Sequence, residues 1–252
     1  MKGNIHHGME KKARFTKVTC SISVLMLFSI LMTGCMYQKE NEQGSQVSYR
    51  ESVKRIQSAV DDFFNEQSIL PIITAGEEVP RYEKYRVDLD KLKNMGYIDE
   101  IPKTAFENGG SGYFLIINEE DDPSVKVMDL STKQKVNDVQ MSVDRYKTAN
   151  NGSLPTGDEL YPGFFAVDFA KTDVKAIKLS SVYSGQEVQF MMDESGTVYI
   201  DYAFDIMQAI EKETAKPKSD EDLRIYLEQA SYFVPVKSAP YFWVDQQPTA
   251  RL

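Results

Sequence analysis

The sequence predicts an α+β fold in which amphipathic helices pack on small antiparallel sheets. Three observations predict it. Apolar residues recur at helical spacing from Tyr49 and again from Val136, and each helical stretch gives way to short strand-like runs. Gly-rich or acidic turn segments separate those runs, which is the pattern of local hairpins rather than parallel crossovers. Finally, Ile56-Gln57, Val60-Asp61, Phe63 and Leu70-Pro71 have counterparts in Val139-Gln140, Val143-Asp144, Tyr146 and Leu154-Pro155, so a helix-plus-hairpin unit is expected twice. The chain then divides into 1–34, 35–47, a first unit 48–134 and a second unit 135–252 that ends in a helix and strands.

The N-terminus is basic at Lys11, Lys12, Arg14 and Lys17, then uncharged from Val18 to Gln38. Thr19, Ser21, Ser23, Ser29 and Thr33 dilute that run, and its strongly apolar part, Val24 to Met32, is too short for a good membrane span. It closes on Leu31-Met32-Thr33-Gly34-Cys35, which resembles the lipobox of bacterial lipoproteins, with Met32 where Leu is usual. The resemblance implies recognition of Met32, Thr33 and Gly34 by signal peptidase II and attachment of a diacylglycerol to the thiol of Cys35. The mature chain would then stand on the outer face of the cytoplasmic membrane. Met9-Glu10-Lys11-Lys12 opens a more typical signal than Met1 does, which would make residues 1–8 an extension or a mis-called start.

Cleavage before Cys35 changes the chemistry available. It removes five of 29 basic residues, one of 38 acidic residues, both histidines and Cys20, leaving 218 residues with a net charge near −13. A Ser-His-Asp triad, a catalytic thiol, a disulfide and a Cys/His zinc site all need side chains the mature chain lacks. An acidic surface also excludes nucleic acid as a partner, because phosphate binding draws on Lys and Arg. No cofactor is expected.

Met36 to Val47 is polar and reads as a flexible tether. Ser48 and Glu51 have the spacing of a capping box for a helix from Tyr49 to Glu66, with Val53, Ile56, Val60, Phe63 and Phe64 as its apolar stripe. Pro71 breaks it. A short helix, Asp88 to Met95, ends at Gly96 in the left-handed cap position. Asn108 to Gly112 turns the chain into a buried strand, Tyr113 to Ile117, and Glu119 to Pro123 turns it back into Ser124 to Leu130. The acidic turn lacks the ligand spacing of a calcium loop and reads as a solvated hairpin tip, so no metal is assigned.

In the second unit a helix from Val136 leads to extended pieces at Phe164 to Phe169 and Val174 to Leu179. Gln186 to Met192 and Thr197 to Tyr202 flank Asp193-Glu194-Ser195-Gly196, a hairpin signal. Helices follow at Asp205 to Glu213 and Asp220 to Gln229, then extended segments at Ser231 to Lys237 and Tyr241 to Asp245.

Gln140 to Thr156, with an aromatic at Tyr146 and the turn Asn151-Gly152-Ser153-Leu154-Pro155, resembles the end of a pilin or pseudopilin helix where a small sheet begins; that implies a local fold and no filament. The signal, tether and general character of the whole chain resemble uncharacterised lipoproteins of Bacillus-like Gram-positive bacteria, of the YphF type. No activity comes with that resemblance. The expected function is a membrane-anchored binding or scaffold module of the cell envelope, meeting an envelope protein or wall polymer, with Tyr241 and Trp243 as candidate contacts. The alternatives are a carboxylate-dependent hydrolase of a wall polymer and the solute-binding lipoprotein of a transporter.

Overall fold

A computed structural model describes residues 42–172, 175–213 and 217–252. Residues 47–252 form one compact unit. The lipobox residues Met32, Thr33, Gly34 and Cys35 lie outside the described residues. Among those described, no helix is long and apolar enough to cross a membrane.

Helix α1 spans Glu42–Gln67. It begins upstream of the expected cap, so the end of the 35–47 segment is helical and the Ser48–Glu51 capping box does not form. The Ser48 carbonyl instead accepts from the Ser52 hydroxyl (2.8 Å) within the helix. Tyr49, Val53, Ile56, Val60 and Phe63 are buried along one face, whereas Phe64, expected with them, is 44% exposed at the rim. Ser68, at φ 57°, ends the helix with its N–H on the Phe64 carbonyl (2.8 Å).

Strands β1 (Ile72–Thr74), β2 (Tyr85–Val87), β3 (Gly112–Ile117) and β4 (Ser124–Asp129) form an antiparallel sheet in that order. The one-turn helix α2 (Arg81–Lys84) interrupts the β1–β2 connection, and α3 (Leu89–Asn94) follows β2. Asp88 caps α3 by accepting from the Lys91 N–H (2.9 Å), and Gly96 sits at φ 84°, both as the sequence indicates. The hairpin β3–β4 also follows expectation, paired from Gly112 with Asp129 to Ile117 with Ser124.

The chain passes without a loop from β4 into α4 (Leu130–Ala149), because Asp129 caps it through the Ser131 and Thr132 N–H groups. This helix crosses the expected 134/135 division. A second antiparallel sheet follows in the order β5 (Thr156–Tyr161), β6 (Phe164–Val167), β7 (Phe190–Asp193) and β8 (Val198–Ile200). Residues 175–179 form no strand, contrary to expectation, and β5 replaces them. Helices α5 (Ala203–Ile210) and α6 (Arg224–Ala230) and the hairpin β9 (Tyr241–Val244) with β10 (Gln247–Ala250) complete the fold.

The repeat is visible at atomic level. Gln57 on α1 accepts from the Val125 N–H (2.7 Å) and donates to the Pro123 carbonyl (3.1 Å), locking the β3–β4 turn onto the helix. Gln140 on α4 accepts from the Val198 N–H (2.7 Å) and donates to the Gly196 carbonyl (2.8 Å), locking the β7–β8 turn in the same way. Each glutamine is held by the aspartate one turn on, Asp61 at 2.8 Å and Asp144 at 3.0 Å.

The C-terminal segment joins the two units. Phe233 pairs in parallel with Val127 of β4, through Val127 N–H to the Tyr232 carbonyl (2.8 Å) and Val234 N–H to the Val127 carbonyl (2.9 Å). Ser238 pairs in parallel with Ile200 of β8, whose N–H reaches the Lys237 carbonyl (2.9 Å). Val127 and Ile200 each lie two residues beyond the valine that its glutamine locks. One strand-like segment therefore covers equivalent edges of both sheets.

Candidate functional site

The β1–β2 connection, 75–84, is where the two units differ most. In the second unit the matching strands β5 and β6 are joined by Pro162 and Gly163 alone, with Gly163 at φ 78°. The longer connection of the first unit carries Arg81-Tyr82-Glu83-Lys84, and its side chains divide between two tasks.

Tyr82 and Glu83 turn inward. Tyr82, 4% exposed, donates to Glu228 of α6, which is itself 3% exposed. Burial and the neighbouring Glu228 charge push the Tyr82 phenol far up, so it remains a donor. Glu83 pairs with Lys133 of α4 (2.5 Å) and Lys237 of the C-terminal segment (3.4 Å). Lys237 holds a left-handed φ of 56°, an uncommon backbone state for a side-chain-bearing residue. Lys126 of β4 donates to the Glu228 (2.5 Å) and Ser231 (2.8 Å) carbonyls, satisfying the C-terminal end of α6. Burial lowers its ammonium pKa, partly offset by Glu228. These contacts fasten the connection to the chain's end.

Arg81 and Lys84 turn outward, into a cleft of about 710 Å³ that is also lined by Glu77, Val79, Tyr85 and residues 118–122. Arg81, though half-exposed, donates to the Asn118 side-chain oxygen (2.8 Å) and to Glu228 (3.3 Å), with its guanidinium over the Tyr82 ring at 5.7 Å. Asn118 adopts φ 53° where β3 ends, and the acidic turn Glu119–Asp122 that follows also lines the cleft. The Lys84 ammonium lies over the Tyr85 ring at 5.2 Å and makes no ion pair among the described residues.

A second polar centre is buried. Asp205 of α5 is 3% exposed, and burial pushes its carboxyl pKa up against the opposing pull of the Ser184 and Ser181 hydroxyls. Neither of its oxygens completes a hydrogen bond of ordinary geometry. Ser181 Oγ accepts from the Tyr183 (3.0 Å) and Ser184 (3.4 Å) N–H groups, which leaves its own proton to face the carboxyl. Asp201 accepts from Tyr161 (3.0 Å) and Tyr241 (2.8 Å).

The last contact places the candidate aromatics. Tyr241 is 0% exposed, with its hydroxyl committed to Asp201 and to the Tyr202 N–H (3.1 Å), so it offers no surface to a partner. The expectation fails because alternation turns Tyr241 to the inner face, into the core it shares with residues of α5, α6 and the second sheet. Trp243 is half-buried and packs against the same core. Among the described residues, no group of three or more acidic, Cys or His side chains converges as a metal site would need. The cleft itself was not foreseen. Its one sequence signal is the alternation of charge and aromatic in Arg81-Tyr82-Glu83-Lys84-Tyr85-Arg86 after Pro80.

Residues 49–129, the first helix-and-sheet unit, match the YphF family N-terminal domain. Comparison with curated proteins and with solved structures finds no match.

Proposed function

We propose that this protein is a lipid-anchored binding module of a Bacillus-type Gram-positive cell envelope, held at the membrane through Cys35 and receiving its ligand in the Arg81–Lys84 cleft. The cleft carries the reading. Its volume of about 710 Å³ falls within the range of about 300–1,000 Å³ typical of small-ligand sites. Arg81 is already held by Asn118 and Glu228, so a ligand meeting it would not bear the cost of freezing that side chain.

The anchor rests on the residues before and at Cys35. Two or three acyl chains, each contributing about 0.8 kcal/mol per buried methylene, hold an acidic domain that an anionic lipid surface would otherwise repel. Cys35→Ala should block labelling by a clickable fatty acid and leave the precursor uncut; normal processing of that variant would overturn the anchor. Val79→Trp, which puts an indole into the cleft lining, should sharply reduce crosslinking of the envelope ligand in intact cells, and undiminished crosslinking would move binding to another face.

A further inference from the structure

We propose that Asp205 works as a pH-sensitive latch: with its proton it holds the 181–186 turn against the start of α5, and on ionising it releases that turn and the turn's tether to the C-terminal segment.

The turn lies between β6 and β7 and is closed mostly by its own bonds. Ser180 pairs with Glu187 as an isolated antiparallel bridge, the Ser181 N–H reaches the Gln186 carbonyl (2.8 Å), and the Gly185 N–H reaches the Ser181 carbonyl (2.9 Å). Gly185, Gln186 and Glu187 are exposed, whereas Ser181 is buried with Asp205 beside it. Below the carboxyl, α5 is held in the core by Ile206, Ala209 and Ile210. The turn is therefore the side that can yield.

No cation answers Asp205 when it ionises. Among the described residues it enters no ion pair, and neither carboxyl oxygen has a hydrogen-bond partner. The titratable groups that face it are Asp201 and Tyr202, just ahead of α5, and Tyr183 from the turn. Asp129 acts on Tyr202, and Glu228 and Tyr82 act on Tyr183, so the wider surroundings add negative charge. The first turn of α5 favours an anion, but Asp201 already supplies one there, accepting from the Ala203 N–H (3.0 Å). A carboxylate at Asp205 is thus desolvated and unpaired, while the acid carries no charge to solvate. Burial accordingly raises its pKa against the pull of the Ser184 and Ser181 hydroxyls. Water reaches the charged form once the turn lifts.

Lifting the turn moves Tyr183. Its hydroxyl donates to the Phe233 carbonyl (3.3 Å), its ring stands edge-on to Tyr202 at 5.7 Å, and it packs against the cores of both units. Ionisation therefore loosens one hold on the segment that covers both sheets. The turn shares no residue with the Arg81–Lys84 cleft, so the latch and the binding reading stand or fall separately.

The test is hydrogen exchange read by mass spectrometry on the full-length protein in detergent, between about pH 4 and about pH 8, with each rate divided by the intrinsic rate at that pH. Protection of the peptide spanning 181–188 should fall about fivefold or more as pH rises, and no more steeply than about tenfold per pH unit, because one proton is released. Asp205→Asn, which cannot ionise, should keep the turn protected across the range. Ser184→Ala deletes a hydroxyl that favours the charged form and should carry the fall to higher pH. Tyr183→Phe should leave the turn's pH dependence intact and remove that of the Val234 amide, which donates to Val127. Constant protection in the wild type, the same pH dependence in Asp205→Asn, or a Ser184→Ala fall at unchanged or lower pH overturns the latch. A pH-dependent turn beside a Val234 amide that ignores pH overturns the tether.

Discussion

Gln57 and Gln140 each turn one side chain into the lock between a helix and a hairpin tip. Each amide satisfies a turn N–H and a turn carbonyl that sheet pairing leaves over, so truncation strands both. Gln57→Ala and Gln140→Ala should each lose about 1–2 kcal/mol in urea denaturation. The double variant should lose close to the sum, because the two locks sit in separate cores. A loss below a few tenths of a kcal/mol in either would contradict the lock. Both glutamines were visible in the sequence as the repeated Gln-x-x-x-Asp, but their partners were not, since a hairpin tip far along the chain leaves no local trace. Asp205 sets a second expectation. Its folded pKa is raised by burial, so its favourable contribution is complete at low pH and is lost as pH rises through that folded value. Asp205→Asn should therefore flatten the fall in Tm between acid and neutral pH and raise Tm near neutrality. A melting series in which wild type gains stability across that interval would reverse the sign.

Among the elements, those whose ends carry their own chemistry were readable. The Asp88 cap, Gly96, and the Asp193–Gly196 turn each fix a backbone state that few residues supply, and the structure uses all three. Strands β1, β2 and β5 were not readable. β1 is three residues long with Ile73 and Thr74 exposed, β2 is equally short, and β5 has register shifts and mostly polar residues, so none shows a clean alternation. Their pairing comes from the neighbouring strand instead. The turn glycines allow a comparison of backbone and packing effects. Gly163, at φ 78°, has open space around an added methyl group, and Gly163→Ala should cost about 1 kcal/mol of left-handed strain. Gly196, at φ 90°, would set that methyl 2.7 Å from Leu154 Cδ2, so Gly196→Ala should cost more, by a margin thermal melts can resolve. Equal costs would mean Leu154 moves aside freely.

For the molecule as a whole, the repeat in the sequence pointed to two units, and the shared segment that binds them did not show. Tyr232-Phe233-Val234-Pro235-Val236 reads as an ordinary apolar strand, and nothing in its composition says that it serves two sheets. Its buried residues are split accordingly: Val234 and Val236 pack with Tyr82, Leu115 and Met128, while Phe233 enters the core under α1. A chain ending at Ala230 should therefore lose cooperative unfolding in both units, read as increased amide exchange at Val127 and Ile200 together. Loss confined to the second unit would show that the first does not depend on the segment. This arrangement has a bearing on synthesis. The residues that cover β4 and β8 follow every strand of both four-stranded sheets, so at about 5–20 residues per second the nascent chain carries two bare sheet edges until they emerge. Until that segment emerges, neither edge has its native cover. By the same reasoning, a stop codon falling between Ile200 and Tyr232 would release a product with two adhesive borders.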